Sequence, residues 1–261
     1  KELIKDHHFD VVVDWLVFEP EHVKTDIELF AGKTEQYIFI STASAYQTPP
    51  KSLPVTEDTP LDNPYWEYSR NKIQCEDILR EENKRNGFPY TIVRPSHTYD
   101  KTLPPLEGGY TVLQRIKDEQ KIVIHGDGSS IWTLTHHRDF ARAFIGLLGT
   151  QEALEEAFHI TSDHLLSWLQ IYRTFAEALN VKLKPVFIPS EVIAKYDQET
   201  GASLLGDKTH SMIFDNSKIK SLVPGYSAEI PLTQGAREII NWYENNPEHR
   251  NIDETLNAKF D

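Results

Sequence analysis

Short apolar runs rich in β-branched residues alternate with longer amphipathic stretches over the first hundred residues of the chain. Runs that are apolar on both faces are typical of strands buried in a parallel sheet. The strand-like runs are residues 9–18, 37–41 and 90–94, and the helix-like stretches between them are residues 21–30 and 66–86. This alternation predicts right-handed crossover units, and therefore an α/β fold built on a parallel sheet.

Beyond residue 100 the pattern becomes mixed. It predicts further strands at residues 121–125, 131–135, 157–161 and 184–188, and further helices at residues 138–149, 168–179 and 233–245. The sequence Gly126-Asp127-Gly128-Ser129-Ser130 separates the first two of these strands, which predicts a hairpin. The whole chain is expected to form one sheet domain with a smaller mixed lobe at its C-terminal side. Ligands of such sheets bind in a crevice at the carboxyl ends of the strands.

Composition narrows the class of protein. Of the 261 residues, 39% are hydrophobic and 26% are charged, which indicates a folded globular chain. The formal net charge of -13 repels phosphate backbones and argues against general binding to nucleic acid or to an anionic membrane, but it does not exclude a local basic pocket. No apolar run approaches the length of a membrane span. The single cysteine, Cys75, excludes an internal disulfide and favours the cytoplasm.

Candidate chemistry is concentrated in one helical stretch. Tyr68 and Lys72 lie four residues apart, so a helix places both on one face. An ammonium about 5 Å from a phenol favours the phenolate by roughly 3 kcal/mol at an effective dielectric of about 20. Desolvation opposes this effect, and an oxidised nicotinamide would supply a second positive charge. Such a phenolate can take a hydroxyl proton while hydride leaves the same carbon. The alternative is an ordinary solvated helix face.

Hydroxyl side chains follow the second predicted strand, in the sequence Ser41-Thr42-Ala43-Ser44-Ala45-Tyr46. At the carboxyl end of a parallel sheet these hydroxyls can hydrogen-bond a reacting carbonyl or hydroxyl oxygen. Serine and threonine also favour turns at strand ends, so the segment fits a purely structural role as well.

The order of these motifs resembles the extended short-chain dehydrogenase/reductases. The segment 41–46 precedes Tyr68-x-x-x-Lys72, which precedes Ile92-Val93-Arg94-Pro95 and then Tyr99. More narrowly, residues 9–243 resemble the NAD-dependent epimerase/dehydratase family of nucleotide-sugar enzymes. The resemblance implies a partial Rossmann-like nucleotide-binding domain at residues 1–100, to which residues 136–165 return. Residues 101–261 would form mainly a substrate-binding lobe.

The resemblance also implies roles for individual residues. Tyr68 would be the acid/base, Lys72 would bind the nicotinamide ribose and tune Tyr68, and Thr42 stands where the family has its catalytic serine or threonine. Contacts with an NAD or NADP cofactor are expected from Asp14, Trp15, Ser41, Tyr68, Lys72, Pro95 and Ser96. Contacts with a hydroxylated, sugar-like substrate are expected from Ser44, His97 and Trp132. No metal site is expected, because the histidines lack the spacing of zinc ligands.

Three departures from the family pattern affect these expectations. No Gly-x-x-Gly-x-x-Gly or Gly-x-Gly-x-x-Gly follows a strand, so roughly 60 to 80 residues of the family's N-terminal units are expected to be missing. This chain alone is therefore expected to bind dinucleotide weakly or not at all. Trp132 stands where the family has a diphosphate-binding arginine, and His97 stands where it often has asparagine. The substrate could therefore be a sugar, a sugar phosphate or another polyol instead of a nucleotide sugar.

Two other functions are compatible with the sequence. Residues 126–143 also resemble the chloroplast stem-loop-binding proteins, which predicts RNA binding, but the negative net charge and the retained Tyr68 and Lys72 argue against it. The second alternative function is that of a scaffold without catalytic activity. The family resemblance implies a homodimer through residues 21–30 and 66–86, whose apolar positions fit an ordinary core equally well.

Overall fold

The computed structural model describes residues 2–260, which form two compact units. The first unit contains the chain up to Ser96, together with Ala141–Ile160 and Phe214–Tyr226. The second contains His97–Phe140, Thr161–Ile213 and the chain from Ser227 onward. Each unit is therefore assembled from separate stretches of the sequence.

The secondary structure is α/β throughout. The strands are β1 (Val12–Asp14), β2 (Tyr37–Ile40), β3 (Tyr90–Pro95), β4 (His97–Tyr99), β5 (Lys121–His125), β6 (Ile131–His136), β7 (Ala157–Ile160), β8 (Leu165–Ser167) and β9 (Lys184–Ile188). The α-helices are α1 (Pro20–Phe30), α2 (Glu67–Asn86), α3 (Gly109–Lys117), α4 (His137–Ile145), α5 (Trp168–Ala178), α6 (Ser190–Tyr196), α7 (Gln198–Ser203), α8 (Ser217–Leu222), α9 (Leu232–Asn245) and α10 (Glu254–Lys259). A π-helical turn, Leu204–Lys208, follows α7. No helix in this described part of the chain is both long and apolar enough to cross a membrane.

The first unit is built on a four-stranded sheet in the order β1-β2-β3-β7, and every neighbouring pair is parallel. Helices α1 and α2 connect consecutive strands and pack against each other, as crossover helices do. Their apolar residues join those of the sheet in one core, which includes Val23, Phe39, Cys75, Leu79 and Ile92. The predicted parallel sheet with crossover helices is therefore confirmed.

Strand β1 is shorter than the apolar run 9–18 predicted. It ends at Asp14, whose Oδ1 accepts the N–H of Leu16 at 2.6 Å and turns the chain away from the sheet. Trp15, Leu16 and Phe18 are consequently exposed. Hydrophobicity alone could not reveal this turn, because an aspartate within an apolar run is compatible with a continuing strand.

The predicted hairpin between β5 and β6 is wrong. Strand β5 pairs in parallel with β9, whereas β6 pairs in parallel with β4 and antiparallel with β8. The turn itself is real: Gly126 and Gly128 have φ values of 60° and 72°, and Asp127 Oδ1 accepts the N–H of Ser129. It redirects the chain instead of folding β6 back onto β5, because β9 offers β5 a parallel partner along its full length.

The second unit places helices against these smaller sheets. Helix α5 packs on α9, and α3 packs on both β5 and α10. Helix α5 begins with a capping box, in which Ser167 and Gln170 satisfy each other's backbone N–H groups. Its buried face carries Trp168, Ile171 and Phe175. The predicted positions of α5, α9 and β9 are confirmed to within two residues.

Candidate active site

The hydroxyl-rich segment leaves β2 at the carboxyl edge of the first unit's sheet. Thr42 caps a short 3-10 turn, since its Oγ1 accepts the N–H of Ser44 at 3.2 Å. The Ser44 Oγ lies 2.9 Å from Thr42 Oγ1 and 2.7 Å from the Oγ of Ser69 on α2. These three hydroxyls therefore form one hydrogen-bonded chain, from the helix to the strand end.

Asn63 ties the same segment to the start of α2. Its Nδ2 donates to the carbonyl of Ser44 at 2.8 Å, and its Oδ1 accepts the N–H groups of Tyr65 and Trp66 at 3.2 and 3.0 Å. Buried asparagine that satisfies backbone groups on two segments fixes their relative position. The helix that carries Tyr68 and Lys72 is thus held in register with the hydroxyl chain.

The Lys72 side chain is 1% exposed and lies across the end of β2. Its Nζ donates to the carbonyls of Val17 and Ile40 at 2.5 and 2.7 Å. The same Nζ lies 5.0, 4.9 and 5.7 Å from the ring centroids of Phe18, Phe39 and Tyr68. Burial lowers the pKa of Lys72 to about 8. Lys72 and Tyr68 thus share one helix face, and the ammonium is anchored by backbone carbonyls.

The ring of Tyr68 is half-buried among aromatic neighbours. Its centroid lies 4.7 Å from that of Trp66 and 6.5 Å from that of Phe18. The phenol therefore stands at the boundary between the buried ammonium and the protein surface. This position suits a group that must exchange a proton with a ligand while it responds to a nearby charge.

Glu76, one further turn along α2, was not among the predicted site residues. Its carboxylate is fully buried, accepts from Ser41 Oγ at 2.6 Å and binds the Arg94 guanidinium through Nε at 2.9 Å and Nη2 at 2.6 Å. Arg80 adds a third ionic contact at 2.6 Å. Burial alone would raise the pKa of Glu76, but the two guanidinium groups hold it below its ordinary value. Its position four residues after Lys72 was the available sequence signal.

The other predicted cofactor contacts lie at the ends of the parallel strands. Asp14 ends β1, Pro95 ends β3, and Ser96 follows Pro95. Trp15 is 50% exposed, and its ring centroid lies 5.2 Å from that of Phe144. Ser41 lies at the same sheet edge, but its hydroxyl donates to Glu76, which occupies its only proton.

The predicted substrate contacts fall into both units. Ser44 belongs to the first unit, whereas His97 and Trp132 belong to the second. The His97 ring lies 5.5 Å from that of Trp132, and its Nε2 lies 2.7 Å from Asp207 Oδ2. The Trp132 side chain is buried, with 1% exposure. The indole therefore packs as a core group within its own unit.

A nicotinamide ribose fits the surroundings of Lys72. An ammonium has three N–H donors, and two of them are used by backbone carbonyls. Within residues 2–260, nothing accepts the third, so a ribose hydroxyl can take it. The thiol of Cys75, one turn away, is buried, and this burial raises its pKa to about 12, so it is not a nucleophile. The described residues contain no cluster of metal-ligating side chains.

Comparison with known families gives one clear match. Residues 27–160, just over half of the chain, match the model described as the NAD dependent epimerase/dehydratase family. This match covers the segment 41–46, Tyr68, Lys72 and the end of β3.

Several curated proteins are similar in sequence. The chain is 29% identical over 181 residues to the chloroplast stem-loop binding protein of 41 kDa b of Arabidopsis thaliana, covering 68% of the chain and 45% of that protein. It is 26% identical over 222 residues to 2'-dehydrokanamycin reductase of Streptomyces kanamyceticus, covering 83% and 61%. It is 24% identical over 215 residues to a putative UDP-glucose 4-epimerase of Methanocaldococcus jannaschii, covering 81% and 64%. The chain thus spans less than two thirds of each of these relatives.

Solved structures show the same fold. The UDP-glucuronic acid 4-epimerase from Bacillus cereus, in complex with UDP-glucuronic acid and NAD, superposes with a TM-score of 0.72 at 21% identity, covering 87% of this chain and 67% of that one. The dTDP-glucose 4,6-dehydratase from Bacillus anthracis, in complex with NAD, gives a TM-score of 0.75 at 20% identity, covering 95% and 76%. The predicted Rossmann-like α/β fold is therefore confirmed.

Proposed function

The chain belongs to the NAD-dependent epimerase/dehydratase family, and from that premise we propose that it acts in the NAD(P)-dependent oxidation of a hydroxylated, sugar-like substrate. Epimerisation, dehydration or release of the keto product would complete the reaction. The observation that carries this proposal is the buried Lys72 ammonium, held by the carbonyls of Val17 and Ile40 on the same helix face as Tyr68. A solvated helix face would not bury its lysine in this way.

In the proposed mechanism, Tyr68 takes the proton of the substrate hydroxyl. Lys72 favours the phenolate electrostatically, and its remaining N–H orients the ribose of the cofactor. If Ser69 donates to Ser44 and Ser44 donates to Thr42, the Thr42 proton is left to hold the substrate oxygen. When bound, the nicotinamide dinucleotide supplies the hydride acceptor. Pro95 and Ser96 would border the nicotinamide, and Asp14 and Trp15 would lie beside it.

Relatives named for nucleotide sugars and a relative named for a compound without a nucleotide both support the substrate proposal. The curated and solved relatives include enzymes named for UDP-glucose, UDP-glucuronic acid and dTDP-glucose, and one named for dehydrokanamycin. A nucleotide sugar is therefore one candidate substrate for this chain, and a sugar or polyol without a nucleotide is the other. Both present the secondary hydroxyl that the mechanism requires.

The first prediction concerns the replacement of Tyr68, the proposed acid/base. Tyr68→Phe in the whole protein as it is encoded is expected to lower turnover at least 100-fold, because general acid–base catalysis contributes about 10²- to 10⁴-fold. Turnover is measured as NAD(P)H formation with a panel of nucleotide sugars, sugars and polyols. Cofactor affinity, measured by calorimetry, is expected to change less than about two-fold, since the ring and its packing are retained.

Tyr65→Phe is the matched control, because Tyr65 is exposed and lies two residues before the start of α2. It is expected to leave turnover unchanged. If Tyr68→Phe retained the turnover of the unaltered protein, Tyr68 would have no part in the reaction.

RNA binding is the second candidate function, and the similarity to the chloroplast stem-loop binding protein is the observation that favours it. The net charge of -13 opposes it. Retention of a stem-loop RNA at 50 mM salt that falls steeply by 200 mM salt would indicate phosphate contacts and favour the RNA function. The enzymatic proposal expects weak retention at both salt concentrations.

We also propose a cytoplasmic homodimer. Its support is the family resemblance and the adjacency of α1 and α2, the two helices through which relatives of this kind would pair. Sedimentation equilibrium at micromolar concentration tests it: a monomer under these conditions would contradict the proposal.

A further inference from the structure

A cavity of about 660 Å³ lies within the second unit. It is bounded by side chains of β5, β9, α6, α7 and α10, and by the loop before α3. A cavity of this volume is in the range that encloses ring-sized or larger small molecules. None of the predicted site residues lines it.

Most of the cavity wall is apolar. The apolar lining residues include Val123, Ile188, Ile193, Leu204, Leu256 and Phe260. These side chains come from the strands β5 and β9 and from helical segments, so a ligand would contact apolar groups of both kinds of element. Walls of this kind favour a ring or another group with apolar faces.

His125 is one of the polar side chains that line the cavity. This side chain is 5% exposed, and its Nε2 donates to the carbonyl of Lys208 at 3.2 Å. Burial lowers the pKa of His125, so the imidazole is neutral at pH 7 and Nδ1 is its acceptor nitrogen. Across the described chain, no group is hydrogen-bonded to this Nδ1. The Glu107 carboxylate and the Tyr172 side chain also line the cavity.

The charges around the cavity disfavour a phosphate. Among the described lining residues the only lysine or arginine is Lys259, whose Nζ is bound to Asp197 at 2.7 Å. Lys208, whose carbonyl binds His125, lies 3.4 Å from both Glu107 and Asp207. The lining therefore has two carboxylates against one ammonium, and each of these cations already has an anionic partner. A phosphate would enter without a compensating cation.

We infer that this cavity binds an uncharged, ring-bearing group whose O–H or N–H donors meet His125 Nδ1 and Glu107, and that it rejects groups carrying phosphate. This binding goes beyond the proposed function and does not depend on it.

Two fluorescent probes with the same skeleton test the inference. N-phenyl-1-naphthylamine is uncharged and carries aromatic rings with one N–H donor, and 8-anilinonaphthalene-1-sulfonate adds a single anionic group. The uncharged probe is expected to bind the protein with one site per chain and at least ten-fold more tightly than the sulfonate. UDP at millimolar concentration is expected not to displace it. A sulfonate probe that binds equally well, or displacement by UDP, would overturn the inference.

Substitutions in one helix locate the bound probe. Ile193→Trp fills the cavity from α6 and is expected to weaken binding of the uncharged probe at least ten-fold. Glu191→Trp, on the same helix but outside the lining, is expected to leave it unchanged. If Ile193→Trp does not fold, Val123→Phe replaces it. Phe187→Trp is its control, because the exposed Phe187 lies on the neighbouring strand and its pairing with Ile124 puts it on the opposite face from Val123. Unchanged binding in the folded cavity variant would refute the site.

Tyr68→Phe separates this inference from the proposed function. Tyr68 belongs to the first unit, so its substitution is expected to leave probe binding intact even where turnover is lost. A protein that binds the probe but shows no oxidoreductase activity would contradict the proposed function alone.

Discussion

The positive charge of Lys72 is buried in the protein. A lysine with its pKa lowered from 10.5 to about 8 is penalised in its charged form in the native state, relative to the unfolded chain. Below pH 8 the penalty is fully present, because both states are protonated. It is relieved as the pH rises toward 10.5, since the native side chain has then lost its proton while the unfolded one still holds it. The native protein therefore accepts a cost at neutral pH to keep this ammonium in place.

A test of this cost follows from Lys72→Met. The unfolding free energy of the unaltered protein is expected to rise relative to that of the variant by up to about 3 kcal/mol between pH 8 and 10.5. Urea unfolding at several pH values measures the difference between the two curves. Parallel curves across this range would contradict the lowered pKa.

His159 gives stability a pH dependence of the same sense as Lys72, but at acidic pH, because its pKa is also lowered in the native state. Burial lowers its pKa to about 4, and its ring nitrogens bond to the Tyr46 hydroxyl and the Asp215 carbonyl. Because the unfolded side chain takes up its proton near pH 6.5, stability is expected to fall by up to about 3 kcal/mol as the pH drops from 6.5 to 4. His159→Gln is expected to remove this component, measured as the difference between two unfolding curves. His8→Gln, at an exposed position, is expected to leave the pH dependence of the unfolding free energy unchanged.

The residue spacing predicted a shared face for Tyr68 and Lys72, and the structure has both on that face. The partners of Lys72 could not be predicted, because backbone carbonyls of Val17 and Ile40 have no sequence signature. Nor could the neutral state of His159 be predicted, since it depends on burial against residues far along the chain. The site roles of these residues stay predictions until activity is measured.

At the scale of elements, the Glu76 carboxylate joins helix α2 to strands β2 and β3 through Ser41 and Arg94. A buried charge pair contributes little net stability over an apolar pair, but removing one partner leaves the other charge uncompensated. The helix that carries Tyr68 is consequently fixed on the sheet by a contact that tolerates substitution poorly.

Glu76→Gln is expected to lower the unfolding free energy by about 3 kcal/mol, because Arg94 would remain buried with a neutral partner. Glu81→Gln, which removes an exposed contact with Arg85 on the same helix, is expected to cost less than about 1 kcal/mol. Urea denaturation of both variants gives the comparison. Equal losses would show that the buried contact has no special weight.

Element positions were largely predictable, whereas strand partners were not. Helices α2, α5 and α9 and strands β2 and β9 lie where the apolar pattern put them, since periodicity reports which faces are buried. The same pattern contains no information on which strand lies beside which, and this explains the wrong hairpin at Gly126. Helices α3, α6, α7, α8 and α10 were missed; all but α3 have only six or seven residues, too few for a clear helical period.

For the whole molecule, the sequence contains no glycine-rich phosphate loop after a strand. Such loops supply the backbone N–H groups that bind a pyrophosphate. Residues 1–261 by themselves are therefore expected to bind NAD with a dissociation constant weaker than about 1 mM, to which Lys72 and the strand ends contribute only the ribose contacts. Isothermal calorimetry on this chain measures the affinity, and a micromolar value would contradict the expectation.

The single buried thiol gives the protein a built-in reporter. Cys75 lies in the core of the first unit, and the rest of the 261-residue sequence has no cysteine. A maleimide can alkylate it only after that core opens, so the alkylation rate reports local unfolding of the first unit alone. A cysteine engineered on the surface of the second unit would react with a maleimide dye at once, while Cys75 stays protected. The second unit can therefore carry a dye while the later alkylation of Cys75 reports the opening of the first unit.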